Sequence, residues 1–224
     1  MNGTVSERAR LDTTLYLVTD SSYHTEESFF RTVEAALQGG VTLLQLREKD
    51  KSAREYMELA GKVKKIADRY GVPLLIDDRI DVALAVDADG VHVGQSDLPV
   101  SVARKLLGPG KIVGATAKTV AQALEAQSQG ADYLGTGAIF PTQTKAAAIP
   151  TSVGTLSEVC RAVNIPVVAI GGLKQDNLSV LEGCPISGIA VVSAIMSSAT
   201  PGIAARELAA MAKKLVELGR AKNA

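Results

Sequence analysis

Tryptophan is absent from this chain of 224 residues, and aromatic residues make up only 4% of it. Cysteine occurs twice, as Cys160 and Cys184, without the paired spacing of a zinc site or a redox motif. We therefore expect reduced, buried thiols rather than a disulfide or a metal site. The two histidines form no Ser–His–Asp or Cys–His grouping, which argues against covalent hydrolysis. We interpret His92, inside an apolar run, as a structural side chain and His24 as a surface one.

An excess of either charge is also missing, since 24 Lys and Arg residues balance 24 Asp and Glu residues. Proteins that bind nucleic acid or a membrane surface rely on a basic face, so neither class is expected. No window is long and apolar enough for a membrane span, and the polar start of the chain lacks the apolar core of a signal peptide. We expect a cytoplasmic protein.

Short apolar runs recur along the chain, at residues 15–20, 42–48, 73–78, 90–94, 111–117, 133–139, 166–172 and 188–195. Amphipathic or Ala-rich stretches lie between them, and several end in Gly, as helices commonly do. Strands that are apolar on both faces and alternate with helices predict a parallel sheet covered by helices. Eight such units predict a single α/β domain, a (β/α)₈ TIM barrel over residues 15–220, after an N-terminal extension of residues 1–14. An open doubly wound sheet is the alternative, but no GxGxxG follows the first run.

A barrel of this kind carries its functional residues at the C-terminal ends of the strands. Polar residues do follow the apolar runs, namely Gln45, Arg47, Lys49, Asp77, Asp78, Gln95, Asp97, Thr116, Lys118, Thr142, Thr144, Lys145 and Ser193. Strand alternation places Gln45, Arg47 and Lys49 on one side. Each group also has an interpretation that involves no function. Arg47 and Lys49 would be a solvated charge cluster, "IGGL" a simple turn and "PTQTK" an ordinary loop.

The adjacent carboxylates Asp77 and Asp78 repel each other unless a cation lies nearby. Asp78 and Asp97 follow neighbouring strands, and carboxylate oxygens combined with substrate phosphates suit Mg²⁺. Since neighbouring residues of a strand point to opposite sides, we expect Asp77 and Asp78 to have different roles. The carboxylates therefore predict a magnesium site at the rim of the barrel.

The cations of the rim, Arg47, Lys49, Lys145 and also Arg79, would balance a diphosphate or the paired carboxylates. The Gly-rich end of the seventh run suits a second phosphate, because barrels of this type bind phosphate there. Residues 142–152 are long for a strand-to-helix connection and predict a mobile active-site loop. The residues alone thus predict Mg²⁺-assisted chemistry on a diphosphate.

Five segments, "QLREK", "DGVHVGQSD", "GADYLGTGAIFPTQTK", "VVAIGG" and "VVSAI", resemble the signature segments of thiamine phosphate synthases, in order and from about Leu15 to Ile195. The resemblance implies a (β/α)₈ enzyme that joins 4-amino-2-methyl-5-hydroxymethylpyrimidine diphosphate to 4-methyl-5-(2-hydroxyethyl)thiazole phosphate or its carboxylated form. Pyrophosphate is released. It further implies that Mg²⁺ and basic residues draw off the pyrophosphate, and that the thiazole nitrogen captures a pyrimidine carbocation.

The resemblance also implies roles for individual residues. The metal ligands would be Asp78 and Asp97. The catalytic residues would be Arg47, Lys49, Thr116 and Lys145. The pyrimidine and its diphosphate would be held by Gln45, Arg47, Lys49 and Lys145. Asp77, Thr116 and Lys118 would also bind substrate. The thiazole phosphate would be seated by Thr142, Thr144, Gly172, Val192 and Ser193.

Two positions depart from the family pattern, since Asp77 stands where Asn is usual and Thr116 where Ser is expected. Asp77 would accept a hydrogen bond from the pyrimidine amine, stay protonated, or pair with a neighbouring cation. A thiazole tautomerase-like barrel and a non-catalytic phosphate-binding barrel are the alternative functions. The complete set of diphosphate and metal residues favours the synthase. The expected partners are the two small-molecule substrates, without nucleic acid or membrane, and a homo-oligomer is left open.

Overall fold

The computed structural model describes residues 11–22, 24–142 and 150–223. Eight parallel strands pair in sequence order, and the first also pairs with the last, so the sheet closes into a barrel. The strands are β1 (Leu15–Val18), β2 (Leu43–Leu46), β3 (Leu74–Asp77), β4 (Gly90–Val93), β5 (Ile112–Thr116), β6 (Tyr133–Gly137), β7 (Val167–Ile170) and β8 (Gly188–Val191). Each lies within one of the apolar runs, and the predicted (β/α)₈ barrel is confirmed.

Helices follow the strands and cover the outside of the barrel. They are α1 (Glu26–Gln38), α2 (Ala53–Tyr70), α3 (Ile80–Ala85), α4 (Val100–Leu107), α5 (Val120–Ser128), α6 (Val153–Ala162), α7 (Ser193–Met196) and α8 (Pro201–Asn223). Between β7 and β8 the described chain forms a 3₁₀ turn, Leu178–Leu181, in place of an α-helix. None of the helices in the described ranges is long and apolar enough to cross a membrane.

Helix α2 shows how the sequence sets the limits of an element. The Ser52 hydroxyl accepts a hydrogen bond from the Glu55 N–H, and the Glu55 carboxylate accepts one from the Ser52 N–H, which closes a capping box. The helix ends at Gly71, whose φ of 64° lies in the left-handed region that glycine adopts without strain. Its buried side chains recur at helical spacing, as Tyr56, Ala60, Val63 and Ala67.

The buried side chains form two clusters because successive residues of a strand point to opposite faces. The larger cluster lies between the sheet and the helices. The smaller one fills the inside of the barrel with Tyr16, Val18, Leu43, Leu75, Tyr133, Val168 and Ala190. The inside of the barrel is therefore a packed core rather than a pore.

The N-terminal face of the barrel is tied together by Arg104 of α4. Its guanidinium donates hydrogen bonds to the carbonyl oxygens of Gly108, Lys111 and Gly130, at 2.7 to 3.1 Å. It also pairs with Asp132, whose carboxylate accepts a hydrogen bond from the Val113 N–H at 2.8 Å. The segments that lead into β5 and β6 are thus joined to one half-buried cation.

Each strand ends one to four residues before its apolar run does. Two of these ends concern the predicted site residues Ser193 and Lys118. Strand β8 stops at Val191, and Ser193 begins the short helix α7, so the expectation that the strand extends to 195 is wrong. The reason is Val192, whose φ of −119° and ψ of −85° leave the extended conformation. Strand β5 likewise ends at Thr116, and Lys118 lies in the loop that follows it.

Candidate active site

A cavity opens at the C-terminal ends of the strands. Its lining includes nine of the residues that the sequence singled out: Gln45, Arg47, Asp77, Thr116, Lys118, Thr142, Gly172, Val192 and Ser193. Two others, Thr144 and Lys145, lie outside the described residues, as does most of the proposed mobile loop. The closed sheet thus gathers at one mouth residues that are separated by up to 148 positions, from Gln45 to Ser193.

Lys49 lies between the paired carboxylates. Its ammonium group contacts Asp77 Oδ2 at 2.8 Å and also donates to Asp78 Oδ2. The Arg47 Nε lies 3.6 Å from the same oxygen of Asp77. Burial alone would lower the pKa of Lys49, but its hydrogen bonds to the two carboxylates outweigh that effect and raise it. Three roles were left open for Asp77. In the described structure it forms ion pairs with the neighbouring cations Lys49 and Arg47.

A tight turn brings both carboxylates to the same cation. Asp77 is the last residue of β3, and the Arg79 N–H donates to the Asp77 carbonyl at 2.6 Å. Asp78, at the centre of this turn, has a φ of 59°, which non-glycine residues rarely adopt. The expectation that the two side chains point to opposite sides is wrong here, because Asp78 lies beyond the strand.

The other cation considered for this pair, Arg79, is turned away from it. Its guanidinium donates two hydrogen bonds to the carboxylate of Asp81, at 2.8 and 2.5 Å. Both partners lie at the start of α3, with Arg79 directly before the helix and Asp81 in its first turn. The charge of Asp77 and Asp78 is therefore balanced by Lys49 and Arg47.

Asp97 lies beside Asp78 at the end of β4. One of its carboxylate oxygens accepts a hydrogen bond from the Gly94 N–H at 2.7 Å. Burial raises the pKa of the Asp97 carboxyl, and the neighbouring carboxylate of Asp78 raises it further. Two carboxylates that disfavour each other's charge fit a divalent cation. Among the described residues no group of three or more His, Cys, Asp or Glu side chains is arranged to hold a metal ion by itself, so the remaining ligands would come from substrate or water.

His92, which the sequence suggested was only structural, also lines the cavity. Its Nδ1 lies 2.8 Å from the hydroxyl of Tyr133, and its Nε2 lies 3.0 Å from that of Thr116. The alternation in "GVHVG" was the available signal, because Val91 and Val93 pack in the outer cluster and His92 must therefore face the interior. His24 is half-buried, with its Nε2 2.8 Å from the carbonyl oxygen of Met196.

The loop after β7 also lines the cavity, through Gly171, Gly172 and Leu173. Gly171 and Gly172 both have positive φ, at 101° and 64°. A Cβ on Gly172 would lie 2.7 Å from the Cβ of Phe140, so only glycine allows this close approach. Asn177 holds the loop by donating to the Gly172 carbonyl at 2.9 Å. Gly172 and Thr142 both line the cavity.

Comparison with known proteins connects this geometry to one family. Residues 15–195 match the family model described as thiamine monophosphate synthase. The chain is 58% identical over 184 residues to thiamine-phosphate synthase 2 of Streptococcus pneumoniae serotype 4, which covers 82% of this chain and 88% of that protein. It is 50% identical over 198 residues to the thiamine-phosphate synthase of Clostridium tetani, and the match covers 88% of this chain and 95% of that protein.

A solved structure gives the same result. The thiamine phosphate pyrophosphorylase from Pyrococcus furiosus superimposes with a TM-score of 0.84 at 38% sequence identity. The superposition covers 92% of this chain and 98% of that one. The similarity therefore extends over almost the whole of both barrels.

Proposed function

Because the chain belongs to the thiamine monophosphate synthase family, we propose that the mouth of its barrel holds the two substrates of that family's reaction with the help of Mg²⁺. The activity itself is that of a thiamine-phosphate synthase, a transferase. It joins 4-amino-2-methyl-5-hydroxymethylpyrimidine diphosphate to 4-methyl-5-(2-hydroxyethyl)thiazole phosphate or its carboxylated form. Thiamine phosphate and pyrophosphate are the products.

The proposed metal ligands are Asp78 and Asp97. Their adjacency and the raised pKa of Asp97 support this assignment, since a cation between them would relieve the repulsion. Mg²⁺ usually takes one or two protein carboxylates and completes its shell with phosphate oxygens and water, which suits this donor set. When bound, Mg²⁺ supplies positive charge next to the leaving pyrophosphate.

The remaining charge for the leaving group comes from basic side chains. Lys49 and Arg47 already lie at the carboxylates, so a diphosphate bound next to the metal would meet both of them. Lys145, which falls outside the described residues, is assigned here by family resemblance. These cations stabilise the negative charge that develops as the bond to the pyrimidine methylene breaks.

The two rings would lie side by side above the packed interior. We assign Gln45, Asp77, Thr116 and Lys118 to the pyrimidine, and Thr142, Gly172, Val192 and Ser193 to the thiazole phosphate. Thr144, which lies outside the described residues, is assigned to the thiazole phosphate by family resemblance. Apolar side chains also line the cavity, among them Val168, Ile170 and Leu173. A mostly apolar wall limits water, which would otherwise compete with the thiazole nitrogen for a pyrimidine carbocation.

One observation carries the proposal: a single cavity brings together nine residues that the family resemblance or the strand-end pattern had chosen. The test is an assay of pyrophosphate release by the purified protein with both substrates and Mg²⁺. Omission of either substrate is the control, because a thiazole tautomerase-like barrel or a phosphate-binding barrel would release no pyrophosphate. Failure of the complete mixture would refute the activity, whereas full turnover in excess chelator would refute only the metal.

For its surroundings we propose an enzyme of the cytoplasm that works on small molecules, without nucleic acid or membrane as partner. The equal numbers of acidic and basic residues support this, since both kinds of partner are usually bound by a protein face with an excess of positive charge. A homo-oligomer remains open, and analytical ultracentrifugation would detect it.

A further inference from the structure

Five polar side chains form a hydrogen-bonded chain across the inside of the barrel. Gln45 Nε2 donates to the Tyr16 hydroxyl at 2.5 Å, and that hydroxyl lies 2.8 Å from the hydroxyl of Tyr133. Tyr133 contacts His92 Nδ1 at 2.8 Å, and His92 Nε2 contacts Thr116 Oγ1 at 3.0 Å. Both ends line the cavity, while Tyr133 is fully buried beneath it.

The amide nitrogen at one end gives the chain a direction. An amide NH₂ group only donates, so the oxygen of Tyr16 must accept. The reverse direction would leave the buried hydroxyl proton of Tyr16 without an acceptor among the described contacts. We therefore assign Tyr16 as the donor to Tyr133, and Tyr133 as the donor to His92 Nδ1. Burial raises the pKa of both phenols far above the ordinary value, so both keep the protons that this arrangement requires.

The direction continues through the imidazole. A neutral imidazole carries a single N–H, and because Nδ1 of His92 accepts, the proton must be on Nε2. That N–H donates to the oxygen of Thr116. The hydroxyl proton of Thr116 is therefore not directed at His92 and is left to be donated into the cavity.

The barrel makes room for this chain by omitting side chains on two strands. A Cβ on Gly114 would lie 2.2 Å from the ring of Tyr133, and one on Gly135 would lie 3.3 Å from Cε1 of His92. Any larger residue at Gly114 would displace the ring. The chain is thus held by the packing of the strands as well as by its hydrogen bonds.

We propose that His92 is a positioning residue which, through Tyr133, holds the Thr116 hydroxyl as a hydrogen-bond donor and so selects a substrate ring with an acceptor nitrogen. At the other end, Gln45 donates its NH₂ group inwards and presents its carbonyl oxygen to an N–H donor. An aminopyrimidine carries both complementary groups, a ring nitrogen that accepts and an amino group that donates. This inference rests on the proposed function, because it concerns how the pyrimidine is recognised.

The tautomer of His92 tests the direction of the chain without any substrate. The sequence contains only two histidines, so the ¹⁵N spectrum of the imidazoles shows two ring systems, and a His24→Gln variant assigns them. We expect a neutral Nε2–H ring for His92 in the free protein. An Nδ1–H ring would overturn the proposal, since Thr116 would then donate to His92 and only accept from a ligand.

Two variants test which hydrogen bond sets the tautomer of His92. In Tyr133→Phe the donor to Nδ1 is lost, and we expect the Nδ1–H form to become populated. In Tyr16→Phe the bond between Tyr133 and His92 is retained, so the Nε2–H form should persist. An unchanged tautomer in folded Tyr133→Phe would contradict the chain, and the wild-type spectrum decides the question if that variant does not fold.

Kinetics test the consequence for recognition. The substrates are the pyrimidine diphosphate and two pyridine analogues, in each of which C–H replaces one ring nitrogen. The wild-type protein should discriminate against one analogue by about tenfold or more in kcat/KM, the equivalent of one lost hydrogen bond of about 1.4 kcal/mol. Thr116→Val should abolish this discrimination and Thr116→Ser should keep it.

Tyr133→Phe should raise the KM for the pyrimidine diphosphate, leave that for the thiazole phosphate near its wild-type value and weaken the discrimination. Wild-type discrimination in Tyr133→Phe would overturn the role of His92. Absence of pyrophosphate release from the wild-type protein would instead refute the proposed function, and the tautomer measurement would still stand on its own.

Discussion

Replacement of Arg104 by Met tests whether the N-terminal face of the barrel contributes to stability but not to activity. The substitution keeps most of the aliphatic stem and removes the guanidinium. Four hydrogen bonds to the carbonyl oxygens of Gly108, Lys111 and Gly130 are lost, together with the ion pair to Asp132. All of these groups lie at the N-terminal face, where barrel residues stabilise the fold rather than catalyse.

The size of the effect follows from these contacts. A hydrogen bond to a charged group contributes about 1.5 to 3 kcal/mol, but the contributions of one side chain do not add fully. The side chains of Arg104 and Asp132 are 20% and 21% exposed, so water can replace some of the lost partners. We therefore expect a loss of about 3 kcal/mol in the free energy of unfolding, by discounting the sum of these bonds. For a chain of this size that corresponds to a fall of about 6 to 12 °C in Tm.

Urea unfolding measures this loss, through a lower midpoint at an unchanged slope. The matched control is Arg31→Met, which removes an ion pair with Glu27 whose side chains are 71% and 79% exposed. Such a pair contributes about 0 to 1 kcal/mol, so the control should stay close to wild type. Pyrophosphate release should be unchanged in both variants below their transitions. The reasoning would be refuted by an Arg104→Met variant as stable as the control, or by one that is folded but inactive.

Further expectations concern the mouth and the interior. Asp97→Ala should lose Mg²⁺-dependent pyrophosphate release while its unfolding midpoint stays near wild type, and a wild-type rate would remove Asp97 from the metal site. Asp77→Asn keeps the contact between Lys49 and the next carboxylate, so kcat/KM should stay within about tenfold of wild type; a thousandfold loss would show that the charge is required. Gly114→Ala should cost about 1 to 3 kcal/mol by overpacking against the Tyr133 ring, which a thermal melt detects. A wild-type Tm there would mean that the ring moves aside freely.

The barrel could be predicted from the sequence because its signal is repeated. Most strand residues are apolar and each strand is followed by a helical or turn segment, so a local error at one unit does not alter the count. The polar residues at the strand ends could be located for the same reason, since the topology brings every C-terminal end to one mouth. Arg47, Asp77 and Thr116 were found in this way.

The remaining errors arise where a local pattern does not reveal a change of backbone direction. The apolar run that contains β8 continues without interruption through Val192, so nothing in it indicates the bend before Ser193. Alternation similarly fails at Asp78 because the turn begins one residue after the strand ends. The role of His92 depends on Tyr133 and Thr116, which are 41 and 24 residues away and belong to other strands. The periodicity of apolar residues along the sequence gives no information about contacts between side chains of different strands.

The close approach of Gly114 to the ring of Tyr133 has a consequence for how this barrel can change over evolution. The two positions share one volume, so neither can vary independently: a larger residue at 114 requires a smaller one at 133. A smaller residue at 133 would also remove the hydroxyl that contacts His92. Single substitutions at either position would therefore be disfavoured, and relatives that accept a different ring should carry compensating changes at both positions together.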